Sequence, residues 1–409
     1  VYRPARVISY DKESGELVLH NYMDFDNLKD YVKISYELTQ DGLLIGKGKL
    51  AEVSVVPHSE GKTNLQINVP ENGKCYLKLT YHLKKEMPLL EEDYILGFDE
   101  IEVSQKDAKC QLAEKWVEKT VTDSELQVSE DDTQIHIKGR EFAYTIDRRT
   151  ALFTEMKFAG REYLNHPMEL NIWRAPTDND MYIKSEWKKA HYDKAYTRAY
   201  TTEVVQGKHG VKITSHASVV AETVQKILDV TITWKIEAAG KIDADIAVTK
   251  DDEFPDLPRF GVRMFLDKKL SAARYFGMGP QESYCDKHQA ASHGLYQANV
   301  DDLHEDYIRP QENGSHYDCE YVELNNSRYG IVVSAENAFS FNASYYTQEE
   351  LEEKTHNYEL TESDSVVFCV DYALNGIGSN SCGPVVLEQY RFDDVLFRFQ
   401  FTLIPYIKG

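Results

Sequence analysis

Residues 230–248 read VTITWKIEAAGKIDADIAV, and this stretch decides the fold. Apolar side chains alternate with polar ones on both sides of Ala239-Gly240, which is the pattern of two strands joined by a turn, each with one buried face. The same period of two recurs at 32–38 (VKISYEL), before Asp41-Gly42, and at 77–83 (LKLTYHL). Many short alternating segments between Gly, Asn and Asp turns predict an all-β chain built from sandwiches.

The length of 409 residues is too great for one ordinary core, so we expect at least two domains. The alternation lapses between Gly97 and Glu118, around the charged stretch SQKDAK at 104–109. This predicts an immunoglobulin-like β-sandwich over 1–112 and a single large sandwich over 113–409. Within the second part, Ser185 to about Ala199 is a helix candidate that Ser185 could cap, and short turns are the alternative.

The composition narrows the classes of partner. Acidic residues outnumber basic ones by 68 to 46, giving a net charge of -22, which repels phosphate backbones and anionic lipid. We therefore expect no nucleic-acid partner and no membrane role. The sequence contains no run of 18 apolar residues, so it predicts no membrane-spanning helix. The 27 tyrosines favour strands or a surface that stacks on sugar rings. Six scattered cysteines without a CxxC indicate buried thiols.

Two segments carry residue types that could bind a metal. Asp178-Asn179-Asp180 offers oxygen ligands but lacks the glycine and distal glutamate of an EF-hand loop, and a turn bonded to its own backbone is the alternative. His304, His316 and Cys319 are zinc-ligand types, but their spacing fits no closed tetrahedral pattern, so loop histidines are the alternative.

Two further segments could carry catalytic groups. Glu282 and Asp286 could form an acid pair, and an ionic cluster with Arg309 is the alternative. Residues 378–383 (GSNSCG) resemble a nucleophile elbow in the wrong register, so a tight glycine loop is favoured over a nucleophilic Cys382.

Three long motifs stand in order along the second part: NIWRAPTDND at 171–180, GMGPQESYCD at 277–286 and YIRPQENG at 307–314. Together they resemble the small-chain region of β-galactosidases of glycoside hydrolase family two. Shorter matches, LPRFG at 257–261 and NGIG at 375–378, fit the flanking pieces, and YMDFDNL at 22–28 is similar to the opening of that family's preceding immunoglobulin-like domain. The motif residues to which the resemblance points are Trp173, Arg174, Asp178, Asn179, Asp180, Glu282, Tyr284, Asp286, Arg309, Glu312 and Asn313.

The resemblance implies an immunoglobulin-like β-sandwich followed by a large galactose-mutarotase-like β-supersandwich. These would be the last two domains of a retaining β-galactosidase whose catalytic TIM barrel precedes them. The two catalytic glutamates and the magnesium and sodium ligands would lie in that barrel or before it. This chain would then contain no catalytic residue, metal ligand or cofactor, and it would be inactive by itself.

The resemblance also implies one site in this chain. The loop Gly376 to Pro384 would close a wall of the galactose pocket, formed by Asn380, Ser381, Cys382 and Gly383. The best-known relatives carry a tryptophan at the position of Cys382, and a thiol offers no ring for stacking. Either Trp173 or Tyr284 replaces it, or the second sugar subsite is looser.

The implied partners are the catalytic TIM-barrel part, in the same polypeptide or in a separate large subunit, and a galactoside substrate. A homo-oligomer and a cytoplasmic location also follow from the family. Two other functions stay open: a stand-alone carbohydrate-binding module, which affinity for galactosides would reveal, and a mutarotase-like enzyme, which rests on fold analogy alone.

Overall fold

The computed structural model describes residues 2–113, 116, 126–223 and 225–408, and antiparallel strands dominate it. It separates into two compact units, Val1–Leu112 with Ser292–Leu295, and Ala113–Ala291 with Tyr296–Gly409. Whether 1–112 and 113–409 are independently folding domains stays a prediction. Among the described residues, no helix combines the length and apolarity that crossing a membrane requires.

The first unit is a sandwich of a three-stranded sheet, ordered β1-β2-β5, and a four-stranded sheet, ordered β4-β3-β6-β7. Leu17 and Leu19 from one sheet share a core with Leu77, Leu79 and Tyr81 from the other. This arrangement confirms the predicted immunoglobulin-like sandwich. The elements are β1 Ala5–Tyr10, β2 Glu16–Asn21, α1 Leu28–Tyr31, β3 Val32–Gln40, β4 Leu43–Lys49, β5 Glu60–Asn64, β6 Cys75–Leu83 and β7 Ile95–Glu102.

The predicted turn between β3 and β4 is a tight hairpin. Asp41 and Gly42 have φ values of 47° and 76°, so both lie in the left-handed region. Two successive residues with positive φ form the hairpin turn whose twist matches that of the flanking strands. The alternation on each side of Asp41-Gly42 therefore marks the strands as predicted.

The second unit contains a five-stranded sheet and a twelve-stranded sheet. The larger one runs β13-β18-β23-β22-β24-β17-β16-β15-β14, and β19, β20 and β21 extend it from β22. Its strands are β13 Leu164–Asn171, β14 Tyr196–Gln206, β15 Gly210–Val220, β16 Leu228–Glu237, β17 Ile242–Lys250, β18 Arg259–Asp267, β19 Ala272–Gly279, β20 Ser292–Asn299, β21 Ser315–Asn325, β22 Tyr329–Ser344, β23 Ser365–Leu374 and β24 Leu396–Ile407.

The smaller sheet is ordered β12-β11-β10-β9-β8. Tyr144 and Phe153 from this sheet pack in one core with Trp234 from the larger sheet, and the ring of Phe153 meets the Trp234 indole edge-on at 4.9 Å. A single core spanning both sheets confirms the predicted large sandwich. The strands are β8 Gln127–Glu130, β9 Gln134–Lys138, β10 Phe142–Asp147, β11 Leu152–Phe158 and β12 Arg161–Glu162.

The helix predicted from Ser185 to about Ala199 is wrong in its extent and its cap. The helix α2 begins at Ile183 and ends at Lys189, and Ser185 lies inside it, donating from Oγ to the Tyr182 carbonyl at 2.8 Å. His191, with φ of 58°, breaks the helical path, a 3₁₀ helix follows at Tyr192–Lys194, and β14 begins at Tyr196. The described part of the second unit also contains α3 Gln348–Glu353 and the 3₁₀ helices Asp178–Asp180, Tyr192–Lys194, Asp301–Leu303, Asn357–Glu359 and Glu388–Tyr390.

Candidate functional site

The loop that follows β23 is the candidate site. It is buried at Asn375 and exposed from Ser381 onwards. Gly378 has φ of 67°, where a side chain would be strained, and the amide of Gly383 donates to the Ser379 carbonyl at 2.7 Å. This is the tight glycine loop that the sequence favours over a nucleophile elbow.

The first motif, at 171–180, holds the loop through two side chains. Arg174 is fully buried and donates to the carbonyls of Asn375 and Gly376. Asn179 donates from Nδ2 to the Gly378 carbonyl at 2.8 Å and accepts at Oδ1 from the Ser381 hydroxyl at 2.8 Å. Hydrogen bonds to backbone carbonyls fix the path of a loop independently of its side chains.

Asp180 explains how a buried arginine is tolerated at Arg174. Its carboxylate accepts from Arg174 Nη2 at 2.7 Å and Nε at 3.2 Å, forming the bidentate pair that suits a guanidinium. It also accepts from the Thr177 amide at 2.9 Å, which caps the 3₁₀ helix Asp178–Asp180. Asp178-Asn179-Asp180 is therefore a capped turn, and the carboxylate of Asp180 is hydrogen-bonded to Arg174 and Thr177.

The second motif, at 277–286, reaches the same loop through its last residue. Asp286 accepts from the amides of Ile377 at 2.9 Å and Gly378 at 2.7 Å, one with each carboxylate oxygen. Two amide donors fit an ionised carboxylate, which has only acceptor sites. Asp286 thus acts as an anchor for backbone and does not form the acid pair with Glu282 that the sequence left open.

Glu282 joins the second motif to the third, at 307–314. It pairs with Lys287, accepts from the Tyr307 hydroxyl and accepts from the Gly314 amide at 2.9 Å. Burial would raise the pKa of Glu282, but these donors outweigh it and hold the pKa below its usual 4.5. The prediction of a cluster with Arg309 is wrong: Arg309 is exposed, and Lys287, which follows the motif directly, supplies the charge.

The third motif also touches the first. Gln311 accepts from the Asp178 amide at 3.1 Å and donates to its carboxylate at 3.2 Å. The amide of Glu312 donates to the Ala175 carbonyl at 3.0 Å, and Asn313 shapes the turn by donating to the Gln311 carbonyl at 2.9 Å. The three motifs therefore form one hydrogen-bonded body beneath the loop.

A second buried arginine lies in the same unit. Arg259 donates from Nη1 to Glu312 at 2.9 Å and from Nε to Asp371 at 3.0 Å, and all three side chains are almost fully buried. Glu312 Oε2 has no partner among the described residues. Burial raises the pKa of Asp371 to about 6 even though Arg259 opposes the shift.

Neither aromatic residue that could replace a stacking tryptophan is accessible. Trp173 and Tyr284 are each 3% exposed. The Trp173 indole packs edge-on against Trp187 at 6.3 Å, inside the core. The predictions that Trp173 or Tyr284 offers a ring to a sugar beside Cys382 are therefore wrong, and a looser subsite is the alternative that remains.

The residues considered for zinc do not form a metal site. Cys319 is buried and donates to the His316 carbonyl at 3.5 Å, and the buried His316 ring stacks on Phe341 at 5.0 Å. His304 pairs with Asp306 instead. In the described part of the chain, no group of three or more His, Cys, Asp and Glu side chains is placed to hold a metal ion.

A cleft of about 520 Å³ opens beside the loop. Asn380 lines it, together with Asn179 and the exposed Met181 and Tyr182. Ser381, Cys382 and Gly383 are exposed on the loop itself. Their assignment, with Asn380, as the wall of a substrate pocket stays a prediction.

Sequence reasoning missed what the motif residues bind. Asp286 meets amides 91 residues away, and Arg174 meets a carbonyl 201 residues away. The one available signal is that NGIG at 375–378 stands among the pieces that carry the resemblance, in the same order along the chain.

These features define a class: a two-unit, all-β chain whose polar motifs converge on one exposed loop. Comparison with known proteins gives the family. The model of the β-galactosidase small chain matches residues 138–403, and that of β-galactosidase domain 4 matches 17–104. The chain belongs to the β-galactosidase small-chain family.

Individual relatives agree with this assignment. The chain is 42% identical over 406 residues to a β-galactosidase of Actinobacillus pleuropneumoniae and 30% identical over 408 residues to one of Staphylococcus xylosus. These matches cover 99% and 98% of this chain but 39% and 40% of the relatives, so the chain spans about 40% of their length. Among solved structures, galactose 1-epimerase from Lactobacillus acidophilus covers 71% of this chain and 100% of its own, at 8% identity and a TM-score of 0.38.

Proposed function

We propose that this chain is the non-catalytic C-terminal portion of a retaining β-galactosidase, which hydrolyses terminal non-reducing β-D-galactose. Its task is to shape the galactose pocket with the loop at 376–384 and to support assembly. The supporting observation is that two separate motifs, at 171–180 and 277–286, hold the backbone of this one loop, and the third, at 307–314, is hydrogen-bonded to both of them. A loop that served only as a connection would not need a buried arginine and a carboxylate aimed at its amides and carbonyls.

The contribution of the chain is positioning. In the proposed enzyme, two glutamates outside this chain perform the two-step reaction through a covalent galactosyl intermediate. Magnesium and sodium bind outside this chain as well. Holding a substrate in its reactive geometry contributes large factors in rate without any proton transfer, and a loop fixed by Arg174, Asn179 and Asp286 is suited to that.

The proposal also covers the partner of this chain, the assembly and location of the complete enzyme, and its second sugar subsite. The partner is the catalytic TIM-barrel part, either preceding this chain in one polypeptide or forming a separate subunit. The complete enzyme is a cytoplasmic homo-oligomer. Because Cys382 offers no ring and Trp173 and Tyr284 are buried, the second sugar subsite is loose.

The test is reconstitution with the part of a relative that this chain does not match. Hydrolysis of a chromogenic galactoside is measured for each protein alone, for their mixture and for a fusion of the two. We expect neither protein alone to be active and the fusion to be active. Activity in the mixture as well would indicate two subunits, whereas activity in the fusion only would indicate one polypeptide.

A matched variant links the activity to the loop. Asn179→Ala removes the side chain that holds Gly378 and Ser381, and we expect it to raise KM in the active form. Asn165→Ala, in an exposed asparagine that bonds Asp364 and Ser365, is the control and leaves KM unchanged. Hydrolysis by the chain alone, or a folded fusion without activity, would contradict the proposal.

A further inference from the structure

A second cleft in the large unit shares only Arg391 with the cleft beside the loop. It has a volume of about 320 Å³ and is formed where β21, β22 and β23 run side by side. Tyr317, Ser340 and Tyr372 line it from these three strands, and Tyr390 closes it from the 3₁₀ helix before β24. No residue from 376 to 384 lines it, so it differs from the candidate pocket wall. Its volume lies within the range of small-molecule sites, roughly 300–1,000 Å³.

Tyrosines dominate the wall of this cleft. Tyr317, Tyr372 and Tyr390 are partly exposed, and none of their hydroxyls has a hydrogen-bond partner among the described residues. The buried rings of Phe339 and Phe392 lie among them as an apolar floor. A tyrosine combines an aromatic face with a polar tip, so three of them present ring surface and open hydroxyls to the same ligand.

A β-bulge shapes one side of the cleft. The register between β21 and β22 shifts between His316 and Cys319, and Asp318 within this segment has φ of 55°, in the left-handed region. Bulges redirect side chains and are common beside binding sites. Tyr317 and Asp318 are neighbours in sequence, and both line the cleft.

The charge of the wall indicates the class of ligand. The charged side chains lining the cleft are Asp318, Asp394 and Arg391, and Arg391 donates from Nε to the Val386 carbonyl at 3.1 Å. Carboxylates outnumber guanidinium groups in this wall, so it offers no excess of positive charge to phosphate or an acidic sugar. The amide of Gln389 adds a neutral donor and acceptor.

We propose that this cleft binds a neutral sugar, with one pyranose ring lying against the tyrosines and its hydroxyls bonded to Gln389 and Asp394. Pyranose rings have apolar C–H faces and polar edges, which match ring surface and open hydrogen-bonding groups. Binding here needs no residue outside the chain. The proposal therefore does not depend on the reconstitution of galactosidase activity.

The test is titration of the whole chain with galactose, glucose and lactose, followed by NMR, with inorganic phosphate as the anionic probe. We expect weak, saturable binding of at least one sugar and none of phosphate. Tyr372→Ala removes a ring, and since an aromatic contact is worth about 0.5–1.5 kcal/mol, we expect a rise in Kd of about two- to twelvefold. Tyr372→Phe keeps the ring and raises Kd by a smaller factor.

Controls separate this cleft from the loop and from unfolding. Gln389→Ala changes an exposed residue, so it raises the sugar Kd without affecting the fold. Asn165→Ala, at an exposed position outside both clefts, leaves the Kd unchanged, and Ser381→Ala and Cys382→Ala report whether the sugar binds at the loop instead. The proposal is overturned if no sugar binds up to its solubility, if phosphate binds as well as sugar, or if the loop variants weaken binding while Tyr372→Phe and Gln389→Ala do not.

Discussion

The two units of this chain fill their interiors in different ways. In residues 2–112, the buried polar side chains are Asn21 and Asp41, and the core consists mainly of leucines and valines, with Ala5, Ile34, Cys75 and Tyr81. The second unit buries two arginines, Arg174 and Arg259, completely. Removing a charge from water costs several kcal/mol, which a well-packed apolar side chain avoids. The first unit therefore has an almost entirely apolar interior, whereas the second pays a desolvation cost for its two buried arginines, and the contacts of these arginines show what they do.

The two arginines give different reasons. Arg174 has one carboxylate partner, Asp180, and its remaining donors go to loop carbonyls. Arg259 has two carboxylate partners, Glu312 and Asp371, and within the described residues it donates no hydrogen bond to the loop at 376–384. The first positions a loop and the second joins strands, so buried charge in this unit has two separable roles.

The largest effect is expected at the strand-joining arginine. Arg259→Met leaves Glu312 and Asp371 buried without a cation, and we expect the free energy of unfolding to fall by about 3–5 kcal/mol. Urea denaturation measures the change. Arg398→Met, which removes an exposed pair with Asp245, is the control and shifts it by less than about 1 kcal/mol.

A further variant sharpens this result. Replacing Arg259, Glu312 and Asp371 together by apolar residues of similar volume removes the charges as well as their attraction. We expect much of the lost stability to return, because apolar replacements of whole buried ion pairs are often neutral or stabilising. If Arg259→Met alone costs less than about 1 kcal/mol, the cluster does not hold the second unit together.

The sequence predicts the strands of both units better than it predicts these polar contacts. Alternation is a local signal, and VTITWKIEAAGKIDADIAV at 230–248 forms β16 and β17 as expected. The helix predicted over 185–199 is shorter in the structure because His191 adopts φ of 58°, which ends the helical path. The composition of the segment does not reveal this backbone conformation. The sequence pairs Glu282 with Arg309, whereas the structure pairs it with Lys287. The fold determines which of the two cations lies nearer, and the spacing of residues along the chain does not reveal it.

The candidate loop shows the same limit. The motifs indicated which segments matter, since the matched pieces of the second unit contact the loop or another motif. They did not indicate that Asp286 binds amides of residues 377 and 378, because that contact joins points 91 residues apart or more. Long-range hydrogen bonds follow from tertiary structure and leave no periodic trace in sequence.

A second prediction concerns the acid sensitivity of the polar interior. Burial lowers the pKa of His316 to about 4, from 6.5, so the folded chain keeps this ring neutral where the unfolded chain protonates it. Between pH 6.5 and 4 the unfolded state binds more protons, and the free energy of unfolding falls as the pH falls, by up to about 3 kcal/mol for this group.

Unfolding by urea at a series of pH values, for the chain and for His316→Gln, measures this contribution. The variant lacks the titrating group, so its stability should depend less steeply on pH over that interval. His216→Gln replaces an exposed histidine and should keep the original dependence. Equal slopes in all three proteins would mean that the buried histidine is not the source of acid sensitivity.

The smallest effect is expected at the loop, and it separates positioning from stability. Asn179→Ala removes the hydrogen bonds to Gly378 and Ser381, each worth roughly 0.5–1.5 kcal/mol, from a partly exposed site where water replaces them. We therefore expect the free energy of unfolding to change by about 1 kcal/mol or less, while amide hydrogen exchange across 376–383 accelerates. Exchange in β16 and β17, far along the sheet from the loop, should stay the same, which makes these strands the internal reference. An unchanged exchange rate in the loop would show that Arg174 and Asp286 suffice to hold it, and the role assigned to Asn179 would then be lost.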